Sequence, residues 1–87
     1  MKSNIIFMPN GWDDYQYWQT QDRKTLRRIN QLIQDIDRNG HEGMGKPEPL
    51  RHELQGWWSR SIDEYNRLVY RVENNQIIIS SCRLHYE

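Results

Sequence analysis

The feature that most restricts how this chain can fold is an apolar stripe. Leu26, Ile29, Leu32, Ile33 and Ile36 recur at the helical period. A helix with such a stripe must bury it, and in 87 residues the covering surface has to come from the flanking segments. Thr20 or Asp22 can cap this helix, and Asn39-Gly40 supplies its stop. Upstream, Trp12, Tyr15 and Trp18/Gln19 predict an earlier helix, with Asp13 and Asp14 in its first turn where acidic groups suit the helix dipole. Before it, the apolar run 5–8 ends at Pro9-Asn10-Gly11, which reads as a first strand and a turn.

The segment 41–49 holds Gly43, Gly45, Pro47 and Pro49, a composition that excludes regular helix and central strand and predicts a loop. Three strand-like runs follow, 55–62, 67–72 and 76–85, and Asn74-Asn75 suits a tight hairpin because Asn tolerates positive φ. The expected architecture is α+β: two N-terminal helices packed on a twisted antiparallel sheet of four to five strands, in a single domain spanning 1–87. With 36% hydrophobic and 28% charged residues the core has to be small, and aromatic residues supply much of its area.

The single cysteine, Cys82, excludes an intrachain disulfide and reads as a small buried strand residue; no Cys/His cluster has zinc-site spacing, and no cofactor motif is present. The N-terminus leads into only four apolar residues, too few for a signal peptide or a membrane span, so the expected location is cytoplasmic. Twelve basic and twelve acidic residues balance to zero, but the signs are segregated. Arg23, Lys24, Arg27 and Arg28 share one helix flank, and Lys46, Arg51, Arg60, Arg67, Arg71 and Arg83 recur through the second half. Nucleic-acid binding needs a local positive field rather than a positive total.

RNA cleavage by side chains alone needs a base for the ribose 2′-OH, an acid for the departing 5′-oxygen, and cations for the charge building on phosphate. Glu48 lies between two prolines in a glycine-flanked loop, a rigid frame for a carboxylate. His85 and Tyr86 end the last strand-like run, and Arg67 opens another. His41 and His52 have weaker context. Taken singly, each has an ordinary explanation as a solvated loop or surface residue. Trp12, Tyr15 and Trp18 read as core, whereas the adjacent pair Trp57-Trp58 must point to opposite sides of a strand, leaving one available to a partner or to RNA. A two-residue turn at Asn74-Asn75 would set Arg67 opposite Cys82 and turn His85 to the other face. A shared site for Arg67 and His85 therefore predicts an odd loop or a bulge in this hairpin.

Several stretches resemble the YoeB toxins of type II toxin–antitoxin modules, within the wider RelE-like group, along essentially the full length. They are Trp12-Asp13-Asp14-Tyr15, Tyr17-Trp18, Ile29-Asn30-Gln31-Leu32-Ile33, Gly45-Lys46-Pro47-Glu48-Pro49-Leu50, Gly56-Trp57-Trp58-Ser59-Arg60, Arg67-Leu68-Val69-Tyr70 and Cys82-Arg83-Leu84-His85-Tyr86. The resemblance implies a microbial-RNase-like fold, metal-independent cleavage of mRNA in the ribosomal A site, and silencing by a cognate, YefM-like antitoxin. The exposed aromatics and the same resemblance point to a homodimer, with no cofactor and no membrane partner. On matching positions, Glu48 would be the general base, His85 the general acid, Arg67 the phosphate-stabilising cation and Tyr86 an orienting group. Lys46, Arg51 and Arg60, with Arg83 and Trp57, would contact RNA or the ribosome.

Three departures bear on this reading. The family commonly has two consecutive arginines after Trp-Ser, and here Arg60 is followed by Ser61. Tyr65-Asn66 stands where Glu-His is frequent, and Glu87 follows the terminal tyrosine. They motivate the alternative of a catalytically impaired module that binds RNA, the ribosome or an antitoxin.

Overall fold

In the computed structural model, which describes residues 1–84, the stripe helix spans Arg23–Asn39 (α2). The Asp22 carboxylate caps it by accepting from the Lys24 and Thr25 N–H groups, and the Gly40 N–H closes its end on the Ile36 carbonyl at 2.8 Å. Ile29, Leu32, Ile33 and Ile36 are all buried, each worth about 1.5–3 kcal/mol relative to an exposed side chain. The first strand is Asn4–Phe7 (β1).

The preceding helix, α1, runs Pro9–Gln21, so it starts three residues before Trp12. Pro9 opens it instead of ending a turn, because proline lacks an N–H where one would find no helical partner anyway, and its φ is already helical. Asp13 and Asp14 consequently fall beyond the first turn, which holds no acidic residue. Asp14 instead ties α1 to the last strand-like run, where its carboxylate accepts the Cys82 N–H at 3.0 Å. Gly11 sits where α1 crosses the sheet; an added Cβ would lie 2.5 Å from the Ile79 carbonyl oxygen. Trp18 is buried and donates Nε1–H to the Cys82 carbonyl. Tyr15 packs against the core, but Trp12 is 46% exposed, so the aromatic series is only partly core.

The remaining strands are Glu48–Pro49 (β2), Trp58–Ser61 (β3), Arg67–Glu73 (β4) and Gln76–Ser81 (β5). They form one five-stranded sheet in the order β1-β5-β4-β3-β2. The sheet is mixed: β2 to β5 pair antiparallel, but β1 runs parallel to β5, reached by a crossover through both helices. An antiparallel β1 would need the chain to return along the edge without that crossover. The segment read as loop contributes the two-residue β2, and Pro49 is tolerated because β2 is an edge strand. A 3-10 turn at His52–Leu54 runs on into a turn at Gln55-Gly56, so the third strand starts at Trp58 and is shorter than the span 55–62.

Asn74 and Asn75 have φ of 51° and 60°, the paired positive values of a two-residue hairpin turn. The register then slips: Tyr70 faces Ile79, but Val69 faces Ser81. The bulge required for Arg67 and His85 to share a face is present, and the Arg67 N–H bonds the Leu84 carbonyl at 3.1 Å. His85 and Tyr86 lie outside the described residues.

Candidate active site

One face of the sheet carries Trp58, Arg60, Leu68, Tyr70, Ile77 and Ile79 towards the helices, as their cross-strand pairing dictates. The other face carries no helix among the described residues. There, Glu48 stands opposite Ser59, and Ser61 opposite Arg67. The Arg67 guanidinium donates through Nη2 to Glu48 Oε1 at 2.9 Å and through Nε to Ser59 Oγ at 3.1 Å. The Glu48 side chain is 51% exposed and that of Arg67 17%. A carboxylate and a fixed guanidinium thus meet at the rim of an open surface, where a phosphodiester can approach both. Nothing along the chain singles out Ser59; pairing of its strand with the one bearing Arg67 is the only signal for it.

Other candidates are placed unequally. Lys46 and Arg51 are exposed on either side of Glu48, and residues 48–54 line a cavity of about 550 Å³ that includes Arg51 and His52. Trp57 is half-buried, with the Arg71 guanidinium 5.9 Å from its ring centroid; Arg71 shares the face of Arg67. Arg83 packs its guanidinium 3.8 Å from the Tyr17 ring centroid, against α1. Ser61 faces the site beside Arg67, so the departure from the two-arginine pattern falls at the site itself. Asn66 is a corner: its side chain bonds the Asp63 carboxylate and accepts the Leu84 N–H at 2.7 Å.

Arg60 departs from the expectation of a phosphate or ribosomal contact. It is fully buried on the helix side of β3 and donates to the Tyr70 hydroxyl, the Asp35 carboxylate and the Met44, Gly40 and Glu42 carbonyls. Burial pushes the Asp35 carboxyl up, but hydrogen bonds from Arg60, the Met44 N–H and Asn39 outweigh it and hold the group below the usual carboxylate range.

His41 stacks on Trp58 with ring centroids 3.9 Å apart, and its Nδ1 is buried with no hydrogen-bond partner among the described residues. Burial first, and the Arg60 charge second, hold His41 below the ordinary histidine value. The unfolded chain therefore binds a proton near pH ~6.5 that the folded chain resists, so stability present above that pH is lost as pH falls through it. Melting curves should show a lower midpoint at pH ~5.5 than at pH ~7.5, and His41→Phe should flatten that slope. An unchanged slope would remove His41 as its origin.

Among the described residues no group of three or more His, Cys, Asp or Glu is placed to hold a metal ion, and no helix is long and apolar enough to cross a membrane. Burial raises the Cys82 thiol to about 12, with the nearby Asp14 charge adding to the effect, so it is an inert packing residue.

The class is a small α+β fold that carries a carboxylate–arginine pair on the open face of its sheet. Residues 7–86 match the family described as YoeB-like toxin of bacterial type II toxin–antitoxin system. Toxin YoeB of Escherichia coli K12 is 50% identical over 82 residues, 94% of this chain and 98% of that protein. The YoeB dimer of Staphylococcus aureus superposes with a TM-score of 0.93 at 48% identity, covering 99% of this chain and all of that one. The toxin in the S. aureus YoeB–YefM complex gives 0.91 at 47% identity, with coverage of 99% and 100%. The chain belongs to the YoeB-like toxin family of bacterial type II toxin–antitoxin systems.

Proposed function

We propose that this toxin is a ribosome-dependent endoribonuclease that cuts mRNA in the ribosomal A site and so arrests translation, acting in the cytoplasm where translating ribosomes are. The observation that carries the reading is the Glu48–Arg67 pair on the open face, 2.9 Å apart and backed by Ser59. Glu48 accepts the proton of a ribose 2′-OH as that oxygen attacks the adjacent phosphorus. Arg67 stabilises the charge on the phosphate oxygens. His85, carried over from the family resemblance, returns a proton to the leaving 5′-oxygen, and Tyr86 orients the substrate. The products are a 2′,3′-cyclic phosphate, or a 3′-phosphate after hydrolysis, and a 5′-hydroxyl. Lys46, Arg51, Arg83 and Trp57 contribute RNA or ribosome contacts around this centre.

The test is in-vitro translation with and without the toxin, mapping mRNA ends by primer extension. New 5′ ends within the A-site codon support the reading. Arrest with intact mRNA favours the catalytically impaired binder, for which Ser61 beside Arg67 is the motivating observation. Growth unaffected by expressing the chain alone indicates a module that only engages its antitoxin.

Neutralisation by a YefM-like antitoxin and formation of a homodimer complete the proposal; Trp12 and Tyr17 leave exposed aromatic surface for such contacts. An acidic and apolar antitoxin tail would order itself against the open face and bind only the folded toxin. At an antitoxin concentration ~100 times Kd the stabilisation is about 2.7 kcal/mol, which raises the melting midpoint by more than ~10 °C. An unchanged melting curve at stoichiometric antitoxin counts against it.

A further inference from the structure

We infer that Arg60 is a positioning residue, whose buried guanidinium folds the 40–46 loop and thereby sets where Glu48 meets Arg67. The inference rests on the reading of Glu48 as the proton acceptor. The loop has little backbone pairing of its own: the Glu42 N–H reaches the Asn39 carbonyl at 3.4 Å, and the Ser61 N–H bonds the Gly45 carbonyl at 2.7 Å. In place of a ladder, the alternate carbonyls of Gly40, Glu42 and Met44 all turn onto Arg60. With Asp35 and the Tyr70 hydroxyl they engage every N–H of the guanidinium. Asp35 closes the shell by also accepting the Met44 N–H at 3.0 Å.

The loop is drawn tightly over that carboxylate. Gly43 has φ +117°, and an added Cβ would collide with Asp35 Oδ2. Three residues past the Gly45–Ser61 bond the chain reaches Glu48, opposite Ser59. The strand β3 therefore holds the Arg67 partner Ser59 on the site face and the loop clamp Arg60 on the other. An Arg60 contact to phosphate would require breaking these bonds and exposing a side chain that has no exposed area. Lysine cannot replace the fork, since its ammonium offers three donors from one point.

The test compares Arg60→Lys with Gly43→Ala, which disturbs the loop while leaving the Arg60 side chain intact, in the full chain on translating ribosomes. Both variants should lose kcat by about 10–100-fold with KM within about twofold, the signature of a displaced reacting group and not of lost substrate binding. Placed on Glu48→Ala, neither should slow cleavage further, because the group they position is already gone. Exchange of the Leu50 amide, bonded to the Trp57 carbonyl just past β2, should accelerate in both. A raised KM with kcat kept, or an effect that adds in full to Glu48→Ala, would overturn the inference and make Arg60 an RNA contact. Wild-type activity in Glu48→Ala would instead remove the assigned base. The Leu50 exchange then decides alone: acceleration in both variants upholds the loop clamp, and unchanged exchange rejects it.

Discussion

A Glu48→Ala chain will fold and melt close to the unmodified toxin yet cut mRNA on ribosomes about 10²–10⁴-fold more slowly, the usual contribution of a positioned general base. The fold should survive because Glu48 sits half-exposed on a two-residue edge strand, where an ion pair is worth only about 0–1 kcal/mol. Arg67→Ala should cost about 10²–10³-fold, as for loss of one preorganised group at a developing oxyanion. Arg67→Lys should recover only part of this, because lysine cannot span Glu48 and Ser59 as the guanidinium fork does. Primer extension measures cleavage and thermal melting measures folding. Cleavage that survives Glu48→Ala and Arg67→Ala together removes both assignments.

The second large effect is on stability. Asp35→Ala strips the buried Arg60 guanidinium of its counter-charge, and removing one partner of a buried pair costs about 3–5 kcal/mol. In a chain of this size that lowers the melting midpoint by more than about 12 °C. Asp35→Asn should cost less, since an amide oxygen can still accept from Arg60 or from the Met44 N–H. The Met44, Gly40 and Glu42 carbonyls lose nothing directly in either variant, so the loss in Asp35→Asn reports mainly the charge, and the difference between the two variants reports the hydrogen bonds that the amide oxygen keeps. If Asp35→Ala melts within a few degrees of the unmodified chain, the carbonyls alone hold the loop and the carboxylate is incidental.

These two experiments probe opposite faces of β3, and four of the five arginines of the second half are placed differently by the fold. Arg67 and Arg71 lie on the open face, Arg60 lies in the core and Arg83 lies against Tyr17. In the sequence these four, like Arg51 beside them, are equally good cations. An arginine can serve a core only when a fold brings enough acceptors to it, and the acceptors of Arg60 come from 10 to 25 residues away along the chain. No local pattern announces that arrangement. The resemblance in the Gly-Trp-Trp-Ser-Arg stretch points to family membership, but a matching residue does not reveal which side of a strand it faces.

What the chain determines by itself is local. The spacing of Leu26 to Ile36 fixes α2 and its buried side, and Asp22 and Gly40 bound it through their own hydrogen bonds. Asn74-Asn75 fixes a two-residue turn because both tolerate positive φ. The prolines around Glu48 keep it out of a helix. What only the tertiary structure decided depends on partners distant in sequence. The parallel placing of β1 beside β5 depends on the two helices that carry the chain from β1 across the sheet to β2 on its far edge. The bulge between Val69 and Tyr70, which leaves Ser80 without a cross-strand partner in the ladder, follows an apolar run, Ile77-Ile78-Ile79, whose alternation carries no register signal. The meeting of Glu48 with Arg67, 19 residues away, exists because β3 pairs with both of their strands. Side-chain chemistry can be read along the chain, but which chemistry is brought together is set by cross-strand register.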